Sequence, residues 1–225
     1  MNDDPARDSS LYVQWRSGVD EAGRSLIERH FDDLLFFFDC KVSARDAEDL
    51  ASETVARCIE ARARIRGDSS FRTFLLSIAR NVLYEHYRRR RRDEPLDFTT
   101  HRLADLSPTP SSIADANQRV KLLLQALQCL PIETQLIVEL SYFQGLKSAD
   151  VARVMDRPAG TIRRILHDAK VELRKRISGA LRRRPADAPR RSAQPEPSTS
   201  SLVRFKAALE AAANELYAPT PVPRP

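Results

Sequence analysis

Glycine is scarce, with 6 among 225 residues. Apolar residues recur at three- and four-residue spacing, not in alternation, so the chain is expected to be all-α. No apolar run approaches the ~20 residues that would span a bilayer. The N-terminus MNDDPARDSS is acidic and polar, unlike a signal peptide, which points to a cytosolic chain. The three cysteines, Cys40, Cys58 and Cys129, form no C-x-x-C pair. That argues against zinc ligation or a disulfide framework and predicts small buried hydrophobes. His30, His86, His101 and His167 are scattered, and neither a placed nucleophile nor a carboxylate cluster accompanies them. Enzymatic activity, a metal and a cofactor are therefore not expected.

Charge is present and arranged in blocks. The overall balance is +6, yet residues 1–66 carry −4, 67–92 carry +5 and 93–112 carry −3. Residues 113–177 and 178–225 carry +4 each. Two basic regions divided by an acidic stretch suggest two footprints on a polyanion.

Residues 11–40 read as one or two helices with Leu26, Ile27, Phe31, Leu34, Leu35 and Phe38 apolar. A helix capped by Ser43 follows, with Ala47, Leu50, Val55, Cys58 and Ile59 on its apolar face. Its acids Asp46, Glu48, Asp49 and Glu53 favour the helix dipole or form a docking face for a basic partner. The stretch FRTFLLSIARNVLYEHYRRRRR then places Phe71, Phe74, Leu75, Ile78, Ala79, Val82 and Leu83 on one stripe. The opposite face carries Thr73, Ser77, Arg80, Asn81, Tyr84 and Arg88, and five arginines end the segment just after Tyr84 and Tyr87. Hydroxyls, an amide, rings and guanidinium groups on one strip suit single-stranded or distorted nucleic acid. A solvated face with a basic C-terminal cap is the plainer alternative.

Residues 93–112, with three prolines and a net negative charge, read as an extended linker. Four further helices are expected between about Ile113 and Ser178. The first two turn inward Val120, Leu123, Leu124, Leu127 and Leu130, then Leu136, Ile137, Leu140 and Phe143, closed by Gly145. A short helix capped by Ser148, a DRP turn and a longer helix opening on Gly160-Thr161 follow the helix-turn-helix plan. Ile162, Ile165, Leu166, Ala169, Leu173 and Ile177 face inward. Thr161, Arg163, Arg164 and His167 are placed to reach base edges, and Lys170 and Arg174 suit phosphates. A coincidental basic helix is the alternative. The Pro/Arg-rich residues 179–201 are expected to be disordered, and 202–217 to form an amphipathic terminal helix.

On these residues the chain resembles a bacterial sigma factor of the extracytoplasmic-function group, within the sigma-70 family. DAEDLASETV is similar to the segment that docks on the largest subunit of core RNA polymerase, which implies that role for Asp46, Glu48, Asp49 and Glu53. IRGDSSFRTFLLSIARN is similar to the segment that captures a flipped minus-ten base and the melted strand. The resemblance carries this to Asp68, Ser69, Ser70, Arg80, Asn81, Tyr84 and Arg88. The stretch from Leu130 to Ile177 resembles the domain that reads the minus-thirty-five element, implying that role for Thr161, Arg163, Arg164, His167, Lys170 and Arg174. Ser52 stands where the family usually has Gln, Phe74 where it often has Trp, and Glu85 where it often has Asp.

The expected organisation is therefore a region 2 domain over 10–92, a flexible acidic linker over 93–112, a region 4 domain over 113–178 and a tail over 179–225. Core RNA polymerase and promoter DNA are the expected partners, and an anti-sigma protein is a candidate third. The rival readings are a helix-turn-helix regulator acting without polymerase and a DNA-processing enzyme. The first leaves the pair of acidic and basic helices in 46–92 unexplained, and the second lacks a catalytic constellation.

Overall fold

The computed structural model describes residues 5–39, 41–64, 69–90, 96–102 and 118–182. Helices α1 (Pro5–Arg16), α2 (Asp20–Asp39), α3 (Ala44–Glu60) and α4 (Phe71–Arg90) form the first half. Helices α5 (Gln118–Gln128), α6 (Ile132–Val138), α7 (Ser148–Met155) and α8 (Ala159–Arg182) form the second. Among the described residues the only bridge of β type pairs Arg102 with Pro131. No helix among them is long and apolar enough to cross a membrane.

The expected single or double helix over 11–40 is two helices. Gly18, at φ +110, reverses the chain between them. Trp15, 2% exposed, then lies directly over Gly23, where a Cβ would stand 2.2 Å from the indole ring. Gly23 therefore sets how closely α1 approaches α2. Gly23→Ala should cost about 1–3 kcal/mol through overpacking, seen as a lower midpoint in thermal or urea unfolding. Asp8 fastens the same pair, accepting from Arg29 Nε at 2.7 Å and lying 2.8 Å from His30 Nε2.

Ser43 caps α3 as expected, its Oγ accepting from the Asp46 N–H at 3.2 Å. Buried Ala47, Leu50, Ala51 and Cys58 turn toward α2 and α4. Burial pushes the Cys58 thiol up to about 12, so it behaves as a small hydrophobe. Cys129 is half-buried, and Cys40 lies outside the described residues. Ile59 departs from expectation: it is 52% exposed, because it lies on the outer face of α3, two turns after exposed Ser52, while Cys58 beside it is buried.

Helix α4 buries Phe71, Leu75, Ala79, Val82 and Leu83 as its spacing predicts, whereas Phe74 and Ile78 are half-buried. Leu76, Thr73 and Tyr87 are also buried. Two of these correct the sequence reading. Thr73, assigned to the exposed strip, shares a hydrogen bond with Ser70 Oγ at 2.9 Å. Tyr87, noted with Tyr84 as a ring just before the arginines, is 2% exposed and donates its hydroxyl hydrogen to the Lys41 carbonyl at 2.8 Å. A helix packed on two sides has a core arc wider than one stripe.

The described part of the acidic stretch, residues 96–102, is a turn and not an extended run. The Asp97 side chain accepts from the Thr99 N–H at 2.9 Å. The carbonyls of Phe98 and His101 accept from the N–H groups of Glu133 and Ile132, both at 2.9 Å. They cap α6, whose N-cap residue Pro131 offers no side-chain cap. Helix α6 runs into a π-turn, Glu139–Phe143, closed by Gly145 at φ +67. The N-cap of α7 is Lys147 and not Ser148, and no side chain caps it. Asp156, at φ 53, makes the turn into α8.

Two apolar clusters hold the chain. One joins α1–α4 to Ile132, Leu136, Ile137, Leu140, Val151, Val154, Met155 and Ile162, so the two halves share a core. The other lies between α5 and α8, around Leu123, Leu127, Ala169, Leu173 and Ile177. The side chain of Val120, expected inward, lies outside the described residues.

Candidate nucleic-acid and polymerase interface

The exposed side of α4 carries Arg80, Asn81, Tyr84 and Arg88, which share a cleft of about 420 Å³ with Arg57, Ala61, Ile78 and Glu85. Asn81 and Arg88 are exposed, and Ser77, Arg80 and Tyr84 half-exposed. Arg80 donates through Nε and Nη2 to Asn81 Oδ1 at 3.1 and 2.7 Å. That fixes the amide oxygen and leaves the Asn81 NH₂ as the available donor. Tyr84 stacks on Phe98, with ring centroids 3.8 Å apart and planes 7° from parallel. The Arg88 guanidinium lies 5.3 Å from the Phe98 ring centroid. Burial pushes the Tyr84 hydroxyl well above its ordinary value, and the Glu133 carboxylate adds to this. It stays protonated and can donate.

Of the loop before α4, Asp68 lies outside the described residues. Ser69 and Ser70 precede the helix, and Ser70 Oγ accepts from the Thr73 N–H at 3.2 Å, as an N-cap does.

The four acids of α3 separate into two pairs. Glu48 and Asp49 are exposed on the side that also presents Ser52 and Ile59. Asp46 and Glu53 are turned toward the basic end of α4. Asp46 accepts from Ser43 Oγ at 2.6 Å and lies 3.5 Å from Arg90. The Ser43 hydrogen bond first, and Arg90 and other cations after it, hold its carboxyl below the usual range. Glu53 binds Arg57 at 2.6 Å and Arg89 at 3.3 Å. Arg57 also grips Glu85 bidentately at 2.9 and 2.6 Å, which holds that carboxyl low. The alternation of charge between α3 and α4 thus builds one wall of the cleft.

On α8, Arg163, Arg164 and His167 are exposed in the first turns, with Thr161 half-buried beside them. Arg164 lies 3.7 Å from Asp168, an exposed i,i+4 pair. Lys170 and Arg174 are half-buried further along, and Lys170 borders an apolar hollow with Tyr142, Phe143 and Leu173. Arg157 donates to Glu133 at 2.8 Å, fastening the turn between α7 and α8 to α6.

Sequence reasoning missed two members of this constellation. Arg57 had a visible signal, since Glu53 precedes it by four residues. Phe98 had a weaker one, as the single aromatic side chain in the acidic 93–112 stretch. Among the described residues no group of His, Cys, Asp or Glu is set to hold a metal ion.

The sigma-70 region 2 family model matches residues 31–93 and the sigma-70 region 4 model matches residues 121–173, together more than half of the chain. The chain is 28% identical over 173 residues to the RNA polymerase sigma-H factor of Pseudomonas aeruginosa, covering 69% of this chain and 90% of that protein. It is 24% identical over 181 residues to the ECF RNA polymerase sigma-E factor of Haemophilus influenzae, covering 76% and 95%. The fold is similar to that of the sigma factor RpoE from Bartonella quintana, solved in complex with the anti-sigma factor NepR. There the TM-score is 0.53 and the identity 18%, with 69% of this chain and 96% of that chain covered. Both matched regions fall on the two helical halves that carry the α4 strip and the α7–α8 turn. The chain therefore belongs to the sigma-70 family, in its extracytoplasmic-function group, and is a non-catalytic subunit that binds core RNA polymerase and directs promoter-specific transcription initiation.

Proposed function

We propose that the three surfaces divide the work of initiation, acting in the cytoplasm. Glu48 and Asp49, with Asp46 and Glu53 behind them, dock on core polymerase. Arg80, Asn81, Tyr84 and Arg88, approached through Asp68, Ser69 and Ser70, take the opened minus-ten strand. Thr161, Arg163, Arg164 and His167 read the minus-thirty-five element, with Lys170 and Arg174 along its backbone. The corresponding units are 10–92, 93–112, 113–178 and 179–225. An anti-sigma protein is a candidate regulator, since a protein of similar fold was solved bound to one.

The observation that carries the minus-ten assignment is the cleft on α4. It combines an oriented Asn81 amide, a stackable ring and guanidinium groups in about 420 Å³, a set suited to one unstacked base and its phosphates. Asn81→Ala should impair promoter opening while leaving polymerase binding unchanged. Permanganate reactivity of the bubble and co-elution with core separate these steps. Equal loss of both would remove the assignment.

The two groups on α8 should fail differently. Arg163→Ala or Arg164→Ala should cost about 1–3 kcal/mol at the cognate element and relax preference at one or two base pairs. Lys170→Ala or Arg174→Ala should weaken binding to all sequences and lower the salt slope by about one. Transcription across a randomised minus-thirty-five library at two salt concentrations distinguishes them, and a reversed pattern would mean that the helix lies in the groove the other way round.

A further inference from the structure

The region 4 unit has an apolar opening on the side made by α5, the π-turn and α8. Leu123 and Leu127 of α5, Tyr142 and Phe143 of the π-turn, and Lys170 and Leu173 of α8 line it. Its floor is closed, since Leu123, Leu127 and Leu173 are each 1% exposed. Its mouth is not, since Tyr142 is exposed and Phe143 and Lys170 are half-buried. A π-turn widens the helical path at this mouth, and such turns are frequent at binding sites. The opening is narrow and suits one inserted ring or branched side chain.

The chain itself carries a segment of that chemistry. Residues 183–225 lie outside the described residues. Their sequence sets Leu202, Phe205, Leu209, Ala212, Ala213 and Leu216 at helical spacing on one stripe, with Phe205 its one aromatic residue. A lone helix of this length is marginal in water, so the stripe needs a surface to fold against.

Charge and reach point to where that surface lies. Past Lys170, α8 carries Arg174, Lys175 and Arg176 against Glu172, which Arg176 already holds at 2.6 Å. The segment is basic in its first half, at Arg204 and Lys206, and acidic in its second, at Glu210 and Glu215. Laid in the same direction as α8 with Phe205 at the opening, it brings both acids beside those cations. Its first residue then stands about 20 Å back from Arg182, at about 1.5 Å of rise per residue. A coil as long as residues 183–201 spans about 25 Å on average. A tether whose natural span matches the gap gives an effective concentration of about 1 mM.

We propose that residues 202–217 dock on this chain's own region 4 unit, with Phe205 in the opening between α5, the π-turn and α8. The docked segment covers an apolar side of that unit and leaves Arg163, Arg164 and His167 uncovered.

Hydrogen exchange of the full-length protein tests this. At about 1 mM effective concentration, a contact with a dissociation constant of about 0.1 mM is nine-tenths formed. Amides of 202–217 should therefore exchange about tenfold more slowly than in a free peptide of the same sequence. Phe205→Ala should abolish that protection, and Tyr142→Ala, at the mouth, should reduce it. The first variant changes only the tail, so it decides the matter even if the second fails to fold. Exchange at the peptide's rate would overturn the proposal, as would protection that folded variants of both kinds leave intact. Protection that grows with protein concentration would assign the occupant to a second copy, and protection seen only with added core RNA polymerase would assign the segment to the polymerase. Either result overturns docking within the chain.

Discussion

Asp49→Lys is expected to remove the chain from core RNA polymerase while leaving its melting temperature unchanged, whereas Glu53→Lys should lower both. The difference follows from where α3 points each acid. Asp49 is exposed on the outer side of the helix beside Glu48 and Ser52, so reversing its sign disturbs no contact that holds the fold. On a basic docking surface the same reversal turns an attraction into a repulsion. At about 3 kcal/mol this weakens binding more than a hundredfold. Glu53 instead bridges Arg57 and Arg89, and a lysine there would stand against two guanidinium groups. Because that network is partly open to solvent, the fold should lose only about 1 kcal/mol, or roughly 2–4 °C in a chain of this size. Co-elution with core and a thermal melt of each variant check the pair. Full core binding by Asp49→Lys would remove the docking assignment.

Phe71→Ala should be the most damaging single truncation for the fold. Phe71 begins α4, and its ring meets Tyr12 at 5.6 Å, Trp15 at 5.7 Å and His30 at 5.5 Å between centroids, the first two edge-on. Those partners come from α1 and α2, so one side chain ties three helices together. With 1% exposure the site cannot fill with solvent cheaply, and its loss should cost about 3–5 kcal/mol. Denaturant unfolding gives the magnitude. Hydrogen exchange should show residues 5–16 losing protection more than α3 does, because α1 docks mainly through Tyr12 and Trp15. A uniform loss would show that α1 does not open separately.

Much of this fold was legible because helices announce themselves by spacing. The Phe71–Leu83 stripe, the Ser43 cap and the Gly145 stop all follow from local rules. What the spacing could not show was contact from a second direction. Thr73 and Tyr87 lie off the main stripe of α4 and read as exposed, yet they are buried by neighbouring elements. Ile59 reads as core and stands in solvent on the outer face of α3, since a single apolar residue does not by itself mark a packed face. The candidate site divides in the same way. Arg80, Asn81, Tyr84 and Arg88 share a face by helix geometry alone and could be found as a set. Arg57 reaches the cleft from α3 and Phe98 stacks on Tyr84 from the acidic stretch, and only tertiary packing brings them there.

The π-turn at Glu139–Phe143 makes this segment tolerant of a change of one residue in chain length. A wide turn of this kind takes up one extra residue within the helix, so the chain on either side keeps its aim. Upstream of it Gln135 faces Glu139, and downstream Gln144 faces Arg72, while Tyr142 between them is 36% exposed. Deleting Ser141 or Tyr142 would restore regular α-helix with the following chain aimed nearly as before. Gln144, the Gly145 stop and the α7–α8 pair would then stay close to their partners. A single-codon deletion in a regular turn of α8, by contrast, would rotate everything after it by about 100°.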